Sequence, residues 1–296
     1  MNICMYTYHF EAAYGIERGI ELIAKAGFES LDYSLWDPGD QGILTEPDEV
    51  IAERFTKIRK KADECGVYFQ QIHAPSPSWC GDPERDEKLL AGTIKSIMAA
   101  GILGAKYAVV HPPVIRENKY GSHTAENRVI NMDYYPKLLP AMRKWNVKTA
   151  IENMFNWDSD KGRNCPTCCS GTAELIDHVD TLNEVAGEEL FVVCLDTGHC
   201  NLSGDAPLPD MVRALGSRLK TLHIHDNYGI HDEHMPPGFG NIDWDAFMEA
   251  LRDINYTGDF VYESDKFPRH FDPSMTFDEG VFQYKLARNL CERHGF

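Results

Sequence analysis

The sequence predicts an α/β protein folded as a (β/α)8 TIM barrel, and three observations lead there. Short β-rich runs alternate with longer amphipathic runs along the 296 residues, and eight of the short kind can be counted. No Ser/Gly linker or low-complexity tract divides the chain, and one such barrel fills about 250 residues or more, so one domain over 1–296 is expected. Finally, imidazole and carboxylate residues recur at the ends of the β-rich runs, the end at which barrel enzymes carry their chemistry.

Taken in order, the first strand is "NICMYTY" (2–8), followed by the helical run "IERGIELIAKAG" (16–27), which closes on a glycine just before the next strand. "FESLDYS" (28–34) is the second strand, and "DEVIAERFTKIRKKADECG" (48–66) the helix after it. "VYFQQIH" (67–73) and "YAVVH" (107–111) follow, separated by the helical "DEKLLAGTIKSIMAAGILG" (86–104). The last four strands are "VKTAIEN" (147–153), "LFVVCLD" (190–196), "LKTLHIH" (219–225) and "DFVYES" (259–264).

Composition narrows the function. Hydrophobic residues make up 43% and charged residues 25% of the chain, the profile of a globular protein with a sizeable core. The N-terminus has no basic leader, and no run reaches the roughly 20 apolar residues of a membrane span. A soluble cytoplasmic protein is expected, with no membrane partner; a homo-oligomer is compatible with everything above. Nine cysteines in no small-scaffold pattern read as free thiols of a reducing compartment. "NCPTCC" (Cys165, Cys168, Cys169) invites a zinc reading, but a Cys4 site needs a second pair and none follows at a usual spacing. A net charge of −17 repels a phosphate backbone and argues against nucleic acid as a partner.

His73, His111, Glu152, Asp196, His225 and Glu263 each fall at or near the end of a different predicted strand, so their side chains would converge. Carboxylate oxygens and imidazole nitrogens without thiolates suit Mn, Zn, Co, Fe or Mg, which act as Lewis acids on a carbonyl or hydroxyl. Trp36, Trp79, Phe155 and Trp157, in the loops after the strands, offer aromatic faces on which a sugar could stack.

These motifs resemble the xylose isomerase-like TIM-barrel superfamily, which includes sugar isomerases, ketose 3-epimerases, sugar dehydratases and AP endonucleases of the endonuclease IV type. The resemblance spans nearly the whole chain and rests on "AIEN" with Glu152, "LDTGHCNLSGD" with Asp196 and His199, "HIHDN" with His225 and "VYESD" with Glu263. In the sugar-acting members, residues matching Glu152, Asp196, His225 and Glu263 hold one divalent cation. The stretch "HIHDNYGIHDEH" (223–234) adds Asp232 and His234, which match the D-x-H pair of the endonuclease IV type and precede a G-x-G turn. Together with His73, His111 and His199 they match the positions that complete a multinuclear site there, so a second metal is a further expectation. His223 reads as structural, and Asp232 and His234 could equally clamp a loop.

The resemblance implies a divalent-metal-dependent sugar or sugar-phosphate isomerase or epimerase, with proton transfer through an enediolate and Glu152 and Glu263 as base and acid. His199 is expected to touch a substrate hydroxyl or the second metal. Asp158, six residues after Glu152, resembles the position of a glutamate that orients the metal-ligating histidine, here His225. One departure stands out: ketose 3-epimerases carry an arginine that grips substrate oxygens six residues after that histidine, and this chain has His231, a rim residue that would face substrate. The expectation therefore stays at isomerase or epimerase. The alternatives are an abasic-site endonuclease with a multinuclear zinc site and a sugar or cyclitol dehydratase.

Overall fold

The computed structural model describes residues 1–35, 42–115 and 123–296. Among the described residues, ten strands form in chain order: β1 (Ile3–Tyr6), β2 (Ser30–Ser34), β3 (Tyr68–His73), β4 (Tyr107–Val110), β5 (Lys148–Glu152), β6 (Asn156–Asp158), β7 (Arg163–Cys165), β8 (Phe191–Asp196), β9 (Leu219–His223) and β10 (Phe260–Val261). Eight of them lie parallel in the order β10-β1-β2-β3-β4-β5-β8-β9. The ring closes through a parallel bridge between Ile224 and Tyr262, where Ile224 N–H donates to Val261 O at 2.8 Å and Glu263 N–H to Ile224 O at 3.1 Å. Helices cross over between successive strands, so the fold is the (β/α)8 barrel that the alternation predicts.

Strands enclosed on both faces should be apolar throughout rather than alternating, and β8, FVVCLD, is buried at every position. The main apolar core lies between the strands and the helices outside them, with Phe10, Phe55, Phe191, Phe247 and Phe260 fully buried. A smaller cluster of Val109, Ala150, Val192 and Cys194 comes from neighbouring strands in matched register. Polar residues also enter the buried interior: Gln71 Nε2 donates to Asp32 Oδ2 at 2.8 Å, and Thr221 donates to Gln71 Oε1. Asp82 caps the helix Pro83–Leu103 by accepting from Arg85 N–H at 3.0 Å, and Gly104 ends it at φ 78°, a conformation that side chains disfavour.

Three boundaries differ from the sequence reading. The first strand stops at Tyr6, and a helix, Tyr8–Tyr14, begins almost at once. The seventh barrel strand, expected over 219–225, ends its pairing with β8 at His223, and beyond it the Thr197 hydroxyl takes over the backbone of His225, accepting its N–H at 3.1 Å and donating to its carbonyl at 2.7 Å. The segment after Glu152, read as a long loop, forms the antiparallel β6–β7 hairpin with Trp157 opposite Asn164. No helix of the described residues is long and apolar enough to cross a membrane.

Candidate functional site

Strand geometry brings the acid and imidazole residues together. His73, Glu152, Asp196 and His223 are the last residues of β3, β5, β8 and β9; His111 follows β4 by one residue, and His225 and Glu263 follow β9 and β10 by two. Side chains fix these ends relative to one another. Asn153 spans β5 and β8, donating to Asp196 O at 2.9 Å, accepting Asp196 N–H at 2.7 Å, and accepting from His199 Nδ1 through its carbonyl at 2.9 Å. Asp196 also caps the helix Thr197–Ser203 by accepting from His199 N–H at 2.6 Å. Gly198 is required by close approach, since a Cβ there would lie 1.9 Å from His225 Cε1.

The loop with Asp232 and His234 is held from below by Asp226. Its carboxylate accepts from Gly238 N–H at 2.8 Å and from Trp244 Nε1 at 2.9 Å, while its backbone pairs with Met235. His234 takes the left-handed backbone at φ 47°, a strained state for a residue with a Cβ and one that clusters at functional positions.

Two groups of ligand-type atoms result. His225 Nε2 lies 3.0 Å from both Asp196 carboxylate oxygens and 3.7 Å from Asp232 Oδ1. Its ring stacks on His234 at 4.0 Å, and His234 Nε2 meets Asp232 Oδ2 at 2.7 Å. His199, His225, Asp232 and His234 thus each present an atom within 4.8 Å of the others. The second group surrounds Glu152: His111 Nε2 at 3.2 Å, His223 Nδ1 at 3.2 Å, His199 Nδ1 at 3.3 Å and His73 Nε2 at 3.8 Å. Glu263 faces this group, 3.7 Å from His73 and 3.5 Å from His223.

The surroundings treat the two glutamates oppositely. Burial works to raise Glu152, but His223, His111 and His199 hold its carboxyl well below the usual carboxylate range. Burial pushes Glu263 well above that range; the pull of His223 is outweighed, and the charges of Glu152 and Asp196 add to the rise. Burial and the neighbouring imidazoles His111 and His223 press His73 down to about 3. His199, despite burial, is lifted to about 10 by Asp196, Glu152 and Asp232. Such divergence in a cleft marks acid–base sites.

The donor set fits a divalent cation. Both oxygens of Glu152, Oε2 of Glu263, Oδ1 of Asp232 and Nδ1 of His225 are buried without a hydrogen bond, a costly state that coordination relieves. A cavity of about 400 Å³ opens onto Glu152, Glu263 and Asp232, with Tyr6, His73, His111, Phe155, His199 and His234 also bordering it; His225 and Asp196 lie buried behind this lining. A side chamber of about 220 Å³ shares His111 and Phe155 and adds Trp79.

Other predicted residues lie elsewhere. Trp157 is 40% exposed on the hairpin, His231 is exposed, and neither borders the cavity; Trp36 lies outside the described residues. Asp158 accepts backbone N–H from Asp160 and Lys161, both at 3.0 Å, so it closes the hairpin turn, and His225 is oriented by Asp196 and the stacked His234 instead. His223, read as structural, is fully buried at the centre of the site, 3.4 Å from Asp32. The spacing of "HIH" carries that signal, because residues two apart on a strand share a face. Asp265, 2.8 Å from His234, and Lys266, 3.1 Å from Asp232, were not anticipated either.

Residues 20–281 match the family model described as xylose isomerase-like TIM barrel. The chain belongs to this family. A protein of Sinorhizobium fredii is 40% identical over 297 aligned positions, 89% of this chain and 87% of that one. One from Methanocaldococcus jannaschii is 28% identical over 59% of this chain, and the match spans only 56% of its own length. A D-psicose 3-epimerase of Enterocloster bolteae is 36% identical over 90 residues, 30% of this chain and 27% of that protein. Among solved structures, the D-psicose 3-epimerase of Clostridium cellulolyticum H10 with D-tagatose superposes with a TM-score of 0.74 at 19% identity, covering 98% of this chain and 99% of that one. The IOLI protein with a bound zinc atom gives 0.72 at 18% identity, covering 99% of each chain.

Proposed function

We propose that this family member is a divalent-metal-dependent isomerase or epimerase of a sugar or sugar phosphate, moving a proton at the carbon beside a carbonyl. One observation carries the reading: Glu152 and Glu263, at the ends of different strands, border the same cavity, with His73 between them at 3.8 and 3.7 Å. The partial match to a D-psicose 3-epimerase supports a carbohydrate substrate.

Glu152, Asp196, His225 and Glu263 are the residues that would hold the cation, with His199, Asp232, His234, His73 and His111 available for a second one. Bound there, Mn, Zn, Co or Mg supplies Lewis-acid stabilisation of negative charge developing on substrate oxygens. The chain does the rest. Glu152 accepts the proton from carbon and Glu263 returns one from the other side, which epimerises the centre. Return by the same carboxylate to the neighbouring carbon would give aldose–ketose isomerisation. His199 directs Nδ1 to the Asn153 carbonyl, leaving Nε2 for a substrate hydroxyl. Phe155, whose ring lies 4.9 Å from that of His199, supplies an apolar wall for a sugar face.

The abundance of ligand-type groups favours a second reading, hydrolysis at abasic sites. Charge opposes it: among the described residues bordering the cavity, the lysine and arginine side chains are Lys266 and Arg269, and each is already paired, with Asp232 at 3.1 Å and Asp265 at 2.9 Å. Few cations remain to answer DNA phosphates.

The test is a metal-supplemented screen of free and phosphorylated ketoses in D2O followed by NMR. Deuterium entering one specific carbon is the expected result. Incision of an abasic duplex without any sugar exchange, lost in Glu263→Gln, would replace this reading with the nuclease one.

A further inference from the structure

Outside the barrel mouth, a second cluster of ligand-type side chains lies where the segment after the hairpin enters the helix Thr172–Ala186. Cys168, Cys169 and His178 are all buried, and each presents an atom within 4.8 Å of the others. Cys168 Sγ lies 3.8 Å from Cys169 Sγ and 3.8 Å from His178 Nε2. With metal–sulfur bonds of about 2.3 Å and metal–nitrogen bonds of about 2.0 Å, two thiolates on a tetrahedral zinc stand about 3.8 Å apart, and a thiolate and an imidazole nitrogen about 3.5 Å. The cluster already has nearly those separations.

Further details prepare these groups for a metal. His178 Nδ1 lies 2.8 Å from the Glu174 carbonyl one helical turn earlier. Donation there places the lone pair on Nε2, towards the thiols, the backbone-oriented arrangement common for ligating histidines. Glu174, four residues before His178 and so on the same helix face, accepts Cys169 N–H at 3.0 Å through Oε2, while its buried Oε1 makes no hydrogen bond of sound geometry. Cys169 itself adopts φ 64°, a conformation costly for a residue with a Cβ, and its neighbour Ser170 donates to Met154 O, two residues beyond Glu152.

We propose that Cys168, Cys169 and His178 form the core of a structural zinc site that fastens this segment to its helix, with Glu174, whose Oε2 already holds Cys169 N–H, turning its unbonded Oε1 to the ion as fourth ligand. Cys168 also borders the side chamber beside His111 and Phe155, so the site would hold part of that wall in place. The missing second cysteine pair is replaced by two residues of one helix face. Binding converts both thiols to thiolates and releases their protons to solvent.

The test uses the full chain, purified reduced and without a histidine tag, and loaded with cobalt(II) alone. A near-ultraviolet thiolate-to-cobalt charge-transfer band is expected at one equivalent, with visible bands of tetrahedral cobalt. It should persist in Cys194→Ser, which removes the thiol beside Glu152 and His223, and in Glu263→Gln. It should vanish in Cys168→Ser/Cys169→Ser and weaken at least tenfold in cobalt affinity in His178→Gln. If the double variant fails to fold, X-ray absorption of the zinc-loaded wild-type chain decides, with a sulfur shell at about 2.3 Å expected. Reduced wild-type protein with neither the band nor the sulfur shell would overturn the proposal. So would a band that survives in Cys168→Ser/Cys169→Ser, or a Cys168–Cys169 disulfide recovered from every preparation whether or not metal is supplied.

Discussion

Gly198→Ala tests whether His225 is held where a cation needs it. The added Cβ would stand 1.9 Å from His225 Cε1, 2.4 Å from Nδ1 and 2.6 Å from Nε2. Carbon atoms in packed interiors stay about 3.5 Å or more apart, so ring and helix must separate by roughly 1.5 Å. The ring has little freedom, with His234 stacked on it at 4.0 Å and Asp196 at 3.0 Å from Nε2. Overpacking of this kind costs about 1–3 kcal/mol of stability. The functional loss should be larger, because a change that merely disturbs a ligand's support lowers metal affinity about 10–100-fold and a misplacement near 1 Å costs about 100-fold in rate. Titration calorimetry of manganese or zinc into chelator-stripped protein reads the first effect, deuterium exchange into the substrate reads the second, and circular dichroism confirms the fold. A folded Gly198→Ala protein with wild-type metal affinity would refute the placement of His225 on the metal.

Three other outcomes are expected. Glu152→Gln and Glu263→Gln should each reduce turnover by at least about 10²-fold while the melting curve shows a folded protein; near-native turnover in either would remove that residue from the acid–base pair. In Asp232→Ala/His234→Ala, bound metal per chain measured by elemental analysis should fall, whereas a ratio equal to wild type would leave the two residues as a loop clamp. Glu279, buried with Oε2 lacking a hydrogen bond, is raised by burial from 4.5 to about 7; the folded state therefore keeps a proton that the unfolded chain gives up, and stability declines by at most about 3 kcal/mol as the pH rises from 4.5 to 7. Glu279→Gln, a mimic of the protonated acid, should flatten that decline and melt higher than wild type at pH above about 7, and parallel melting curves at every pH would contradict it.

The barrel was legible because parallel, doubly covered strands leave continuous apolar runs, and the runs around Val109, Ala150 and Val192 are of that kind. The ends of those runs located His73, His111, Glu152, Asp196 and Glu263 well enough for all of them to meet in the structure. What stayed hidden depends on partners far apart in the chain. His223 gains its place from Asp32, Glu152 and Glu263, residues 191, 71 and 40 positions away that no local pattern ties to it. Asp158 was misplaced for the opposite reason: its partners are its own neighbours, Asp160 and Lys161, and a short turn satisfied it before any distant histidine could.

The two candidate metal centres differ in the hardness of their ligands. At the barrel mouth the ligands are carboxylates and imidazoles, and both oxygens of Glu152, Oε2 of Glu263 and Oδ1 of Asp232 lack hydrogen bonds; such a set serves a cation that must also bind and release substrate oxygens, and it admits Mn or Mg besides Zn. Beside the side chamber, two thiols and one imidazole make a soft set in which Mg gains little and zinc much. Exchange of the mouth metal should therefore leave the cysteine centre occupied. Manganese added to zinc-loaded protein ought to change turnover while the sulfur shell of the zinc spectrum stays as it was. Loss of that sulfur shell in step with the change in turnover would mean that one centre, not two, explains both.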